Sequence, residues 1–152
     1  MTTVGFFTCN IWYEFGYGET LYSWFSTICY RLEDGSWGSK YPILMNKLYY
    51  DEENGIPYTL LDAFEKEIDE IEKAFNKMKP SDAIWSCEDE IYTVPSGKPN
   101  INYEVSVLRE FYINNRGKNI FDFLYQVIES VRFWKEEDGC NAKLTIRAED
   151  NI

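Results

Sequence analysis

Apolar residues change their spacing along the chain, and the spacing predicts the elements. Residues 3–12 (TVGFFTCNIW) are β-branched and aromatic and read as one strand, apolar on both faces in places, as for a central position. Glu14 to Gly18, with two glycines, read as a turn. Thr20 can then cap a helix to about Leu32, with Leu21, Trp24, Phe25, Ile28 and Leu32 on one side. Pro42 suits the first turn of a short helix, Ile43 to about Tyr49. Pro57 or Thr59 opens the clearest helix, striped by Leu60, Leu61, Phe64, Ile68, Ile71, Phe75 and Met78. Its other face carries mixed charge, as a solvated face does, and Pro80 follows its end.

The second half is more broken. Ala83 to Cys87 (AIWSC) predicts a short buried strand, and residues 93–102, with two prolines and a glycine, a loop. Residues 103–113 fit a strand or a short helix, and the short helix is preferred. Residues 118–136 predict the last helix, with Asp138-Gly139 as its stop. Residues 142–148 (AKLTIRA) alternate and predict a half-exposed closing strand. The whole reads as one domain over residues 1–152. Its class is α+β, or a small α/β: a short mixed sheet of about three or more strands packed by about four helices.

Composition narrows the function. The chain has 152 residues, 45% of them hydrophobic and 18% aromatic, so it can fill a core and keep rings for a surface. Its formal charge of -11 argues against direct nucleic-acid binding and against an anionic membrane, and makes a basic protein the natural complement. No apolar run is long enough for a membrane span, and no signal peptide is visible, so the expected compartment is the cytoplasm.

Histidine is absent, which removes Ser-His and Cys-His nucleophile systems and His-containing zinc sites. Cys9, Cys29, Cys87 and Cys140 include no CxxC pair, so no metal is expected. The preferred state is four buried, reduced thiols, with two long-range disulfides as the alternative. No phosphate-binding, nucleotide-binding or hydrolase motif occurs, and neither catalytic residues nor a cofactor is expected.

Three acidic clusters lie beside aromatic residues: Glu33-Asp34, Asp51-Glu52-Glu53 and Glu88-Asp89-Glu90. Carboxylates that steer and pair with Arg or Lys, around desolvated rings, are what a binder of a basic protein needs. The candidate binding residues are therefore Glu33, Asp34, Trp37, Asp51, Glu52, Glu53, Glu88, Asp89, Glu90 and Tyr92. Trp24, Trp85 and Trp134 are assigned to the core. Trp37, in a Gly/Ser loop, suits a binding anchor or a ring that folds back to pin the loop. The competing readings are an acidic adaptor of a basic protein and a carboxylate-based hydrolase, which would need two converging carboxylates.

Three blocks carry a family resemblance. STICYRLEDGSWGSKYPILMNKLY, residues 26–49, resembles the signature region of the immunity protein 70 family, small bacterial proteins encoded beside polymorphic toxins. IWSCED, residues 84–89, and GKNIFDFLYQVIES, residues 117–130, are similar to its second block and its C-terminal helix. The resemblance implies neutralisation of a toxin domain, encoded by an adjacent gene, by binding it in the cytoplasm. A basic, nuclease-type toxin would suit the acidity. Ser39, Tyr41 and Pro42 are assigned to fold maintenance, because a motif shared across varied toxins is more easily explained by structure than by partner choice.

Overall fold

The computed structural model describes residues 2–49 and 55–149. A three-stranded sheet is packed by helices in an α+β domain; its strands lie in the order Ile11–Tyr17, Thr3–Thr8, Thr145–Ala148. Strands β1 (Thr3–Thr8) and β2 (Ile11–Tyr17) form a hairpin, and β3 (Thr145–Ala148) returns to the other edge of β1. Both pairings are antiparallel.

The single strand expected over residues 3–12 is thus two strands. Cys9 and Asn10 both have positive φ, 52° and 62°, and make a two-residue turn between Thr8 and Ile11. Positive φ at both central positions matches the twist of a tight hairpin, and Asn tolerates it well. The turn expected at Glu14 to Gly18 is instead the end of β2, to Tyr17, and the first residue of the following helix. Gly5 is required by close approach, since a Cβ there would lie 2.4 Å from the Tyr13 carbonyl oxygen.

Helix α1 (Gly18–Thr27) starts directly after β2 and continues as a π-helical turn, Ile28–Leu32. Thr20 is not its cap: the side chain is buried and donates to the Pro99 carbonyl at 3.0 Å. The helix after Pro42 is a π-helix, Ile43–Leu48. Two of its backbone N–H groups, Ile43 and Leu44, donate to the Glu67 carboxylate. Burial pushes that carboxyl above its ordinary range.

A 3₁₀ turn, Tyr58–Leu60, leads into α2 (Leu61–Phe75), which buries Leu61, Phe64, Ile68, Ile71 and Phe75. Residues 103–113 hold a 3₁₀ turn, Leu108–Glu110, and isolated bridges at Tyr112 and Ile113. Helix α3 (Ile120–Asp138) is capped by the Asn119 side chain and stopped by Gly139 at φ 64°. In the core, Phe123 of α3 meets Phe6 and Phe15 of the sheet at 5.8 and 5.7 Å. Phe121 meets Trp24 of α1 and Phe75 of α2 at 5.8 and 5.4 Å.

The strand expected at Ala83 to Cys87 does not form. Ile84 gives its backbone to side chains rather than to a ladder: its N–H donates to Thr27 Oγ1, and its carbonyl accepts from Ser23 Oγ. Only Ser86 pairs, in an isolated bridge with Ile91.

The cysteines also depart from expectation. Cys9 and Cys140 form a disulfide across 131 residues, tying the hairpin turn to the segment after α3. Cys29 and Cys87 are free, as the reduced reading had all four.

Candidate functional site

The functional candidate is a groove of about 390 Å³ between α1, the Gly/Ser loop and the turn after Ile84. Along α1, Glu19, Tyr22 and Ser26 are spaced three and four residues apart and share a helix face, away from the buried Leu21, Trp24 and Phe25. Tyr22 is 52% exposed. Trp37 and Tyr49 form a second wall, and Trp85, Glu88 and Asp89 a third.

Each wall is held by local structure. Ser23 and Thr27 stitch Ile84 to α1, as described, and Tyr112 Oη lies 2.9 Å from both hydroxyls. Beyond Ile84 the chain makes a tight turn. Ser86 and Ile91 exchange both backbone hydrogen bonds at 2.9 Å, and Asp89 N–H donates to Ser86 Oγ at 3.2 Å. Glu90 takes the positive φ, 55°, that reverses the chain. Cys87 Sγ donates to the Ser26 carbonyl at 3.2 Å, closing the turn against α1. Glu88, Asp89 and Glu90 are consequently exposed on a short, braced loop.

Trp37 is half-buried and folds back. Its Nε1 donates to the Met45 carbonyl at 2.8 Å, and its ring lies against Phe25 and Tyr49, at 6.2 and 4.9 Å. The ring therefore pins the loop and presents its remaining surface to the groove. Tyr92 stands outside the groove lining, 45% exposed, with its ring 5.4 Å from Tyr30.

The structure removes one candidate from the rim. Glu33 is 3% exposed, and its carboxylate accepts the backbone N–H groups of Gly38, Lys40 and Tyr41 at 2.9–3.0 Å. It organises the loop from inside. Asp34 is exposed beside it but does not line the groove. Asp51, Glu52 and Glu53 lie outside the described residues.

Three groove residues, Trp85, Glu19 and Tyr22, escape the sequence reading. Trp85 is half-buried and lines the groove rather than the core; Trp134, also half-buried, lies at the cleft beside the disulfide. Glu19 and Tyr22 were legible only as the positions left off the apolar stripe of α1. Lys98 reaches in from the 93–102 loop, with Nζ 3.1 Å from Glu19 Oε2 and 5.1 Å from the Trp85 ring centre.

Two arginines are engaged within the chain, away from the groove. Arg109 pairs with Glu72, Glu110 and Asp122, and Arg132 with Asp62, Glu65 and Glu129. Apart from Lys98, which reaches in over Glu19 and Trp85, no Lys or Arg is among the described residues that line the groove.

Chemically, the groove is suited to contact. Burial pushes the Cys29 thiol up to about 11 and raises Cys87 as well, so both are protonated at neutral pH and poorly nucleophilic. Glu67, the carboxyl that burial raises, has its oxygens occupied by the π-helix amides. A larger cleft of about 780 Å³ lies at the hairpin turn beside the disulfide. It holds Lys143, Arg147 and Asp138 and none of the acidic clusters, so it lacks the charge that distinguishes this chain.

Among the described residues no helix is long and apolar enough to cross a membrane. No curated protein and no solved structure matches the chain significantly. A family model, that of Immunity protein 70, matches residues 6–137 and so spans most of the hairpin, α1, the groove walls and nearly all of α3. The chain belongs to the Immunity protein 70 family.

Proposed function

We propose that this immunity protein neutralises a cognate toxin domain, encoded by an adjacent gene, by covering the toxin's basic active face with the acidic, aromatic groove. The observation that carries the reading is the convergence of Trp37, Tyr22 and Trp85 with Glu19, Glu88 and Asp89 around one groove. Exposed carboxylates steer a basic partner and speed its association. Desolvated rings supply the contact area that slows dissociation. A nuclease-type domain suits this surface, because the Arg and Lys that hold phosphate would meet carboxylates in its place. The chain then acts as a binder in the cytoplasm, with no cofactor, metal, nucleic acid or membrane in the mechanism.

The test is rescue and capture. The toxin domain encoded by the neighbouring gene is expressed with and without this protein, and the complex is purified on a tag. Restored growth and a 1:1 complex that survives washing support the reading. A toxic neighbour that is neither bound nor rescued ends it.

A further inference from the structure

Lys98 does to the groove what a partner's basic side chain would do. Its ammonium sits 3.1 Å from Glu19 Oε2 and 5.1 Å from the centre of the Trp85 ring, so one cation takes a carboxylate and an aromatic face together. We infer that the Glu19–Trp85 corner is the cation subsite of the toxin-binding groove, that Lys98 fills it in the free protein, and that an arginine or lysine of the toxin domain displaces Lys98 on binding. This deepens the proposed function and rests on it.

Three observations support displacement. The first is that the pair is weakly held: the Lys98 and Glu19 side chains are 33% and 43% exposed, and exposed ion pairs add little. The second is that the loop does not depend on the ammonium. The Lys98 backbone N–H donates to Tyr103 Oη at 2.8 Å, and Tyr103 Oη donates to the Pro95 carbonyl at 3.0 Å. The ammonium can therefore swing out while the loop stays anchored. The third is charge. Glu88 and Asp89 line the same groove, and apart from Lys98 itself no Lys or Arg is among the described residues there. An incoming guanidinium inherits Trp85 and Glu19 and finds two further carboxylates within the groove. Its planar fork suits both partners better than an ammonium does.

An internal occupant lowers apparent affinity by the fraction of molecules in which the subsite is filled. Removing it should tighten binding of any ligand that uses the corner. The test titrates wild type, Lys98→Gln, the double variant Glu19→Gln with Lys98→Gln, and Lys77→Gln. Lys77→Gln is a control for the charge change outside the groove. The probes are an acetylated, amidated tri-arginine peptide and the neighbouring toxin domain, with the Trp85 indole N–H followed by NMR. Lys98→Gln is expected to bind both probes about fivefold more tightly than wild type, as removal of a competing occupant implies. Lys77→Gln should bind as wild type does, and the Glu19→Gln change should abolish the gain. Equal or weaker binding by Lys98→Gln overturns the inference. So does an equal gain from Lys77→Gln. The two readings fail separately. If the toxin domain binds wild type but Lys98→Gln tightens neither probe, the subsite is wrong and the immunity groove stands. If the peptide result holds and the toxin domain ignores the groove, the subsite stands and the proposed function fails.

Discussion

Glu33 accepts the backbone N–H of Tyr41 at 2.9 Å, so the two ends of the Gly/Ser loop are joined through one buried carboxylate. The same side chain accepts from Gly38 and Lys40. A loop that exposes Trp37 to the groove is in this way built around an internal anion. The ends of this loop lie in the block from residue 26 to 49 that resembles the family signature, and the geometry gives the acid there a folding role. Glu33→Ala leaves three backbone donors without their acceptor and should cost about 3 kcal/mol. Glu33→Gln, which keeps one oxygen, should cost about half as much. Urea denaturation measures both. A loss of toxin affinity in correctly folded Glu33→Gln would return this residue to the interface.

Tyr112 supports the groove from below. Its hydroxyl is buried 2.9 Å from Ser23 and Thr27, and burial pushes it up to about 12 from an ordinary 10.0. The folded state holds the phenol proton more tightly than the unfolded state does. The stability this provides is fully present below pH 10 and is lost as pH rises through 12, at up to about 1.4 kcal/mol per pH unit. Tyr112→Phe should flatten that alkaline decline and cost about 1 kcal/mol at pH 7. Denaturation midpoints taken from pH 8 to 12 decide it; parallel curves for the two proteins would refute the assignment.

Closing 131 residues, the Cys9–Cys140 disulfide restricts the unfolded chain strongly. Replacing both cysteines with serine should lower stability by about 2–5 kcal/mol. Thiol titration of the unfolded, unreduced protein should find two free thiols, Cys29 and Cys87. Four would mean that the bond does not form in solution.

Charge reversal tests the groove directly. Converting Glu88, Asp89 and Glu90 together to Lys should weaken toxin binding by about tenfold or more at low salt and flatten its salt dependence. All three are exposed on a loop held mainly by backbone bonds, so folding should change little. Unchanged affinity at low salt, where these charges matter most, rules this face out.

Periodicity alone determined much of the molecule. The stripe of α2 and the Gly139 stop of α3 follow from spacing and turn chemistry, which act over a few residues. Composition pointed to an acidic binder, and the block around Trp37 pointed to the family. The hairpin at Cys9-Asn10 is not legible in the pattern because the ten apolar-rich residues 3–12 look alike until two positive φ values break them. Tertiary structure decided the rest. Ile84 reads as strand by composition but bonds to hydroxyls 57 and 61 residues away, which no local pattern records. Glu33 reads as a surface acid until the chain folds three amides onto it. Trp85 reads as core, yet the turn it leads into holds it at the surface beside Glu19 and Lys98. Spacing reports which face a residue takes within its own element. Which charges and rings meet across elements depends on long-range closure, and that is where the groove and the disulfide arise.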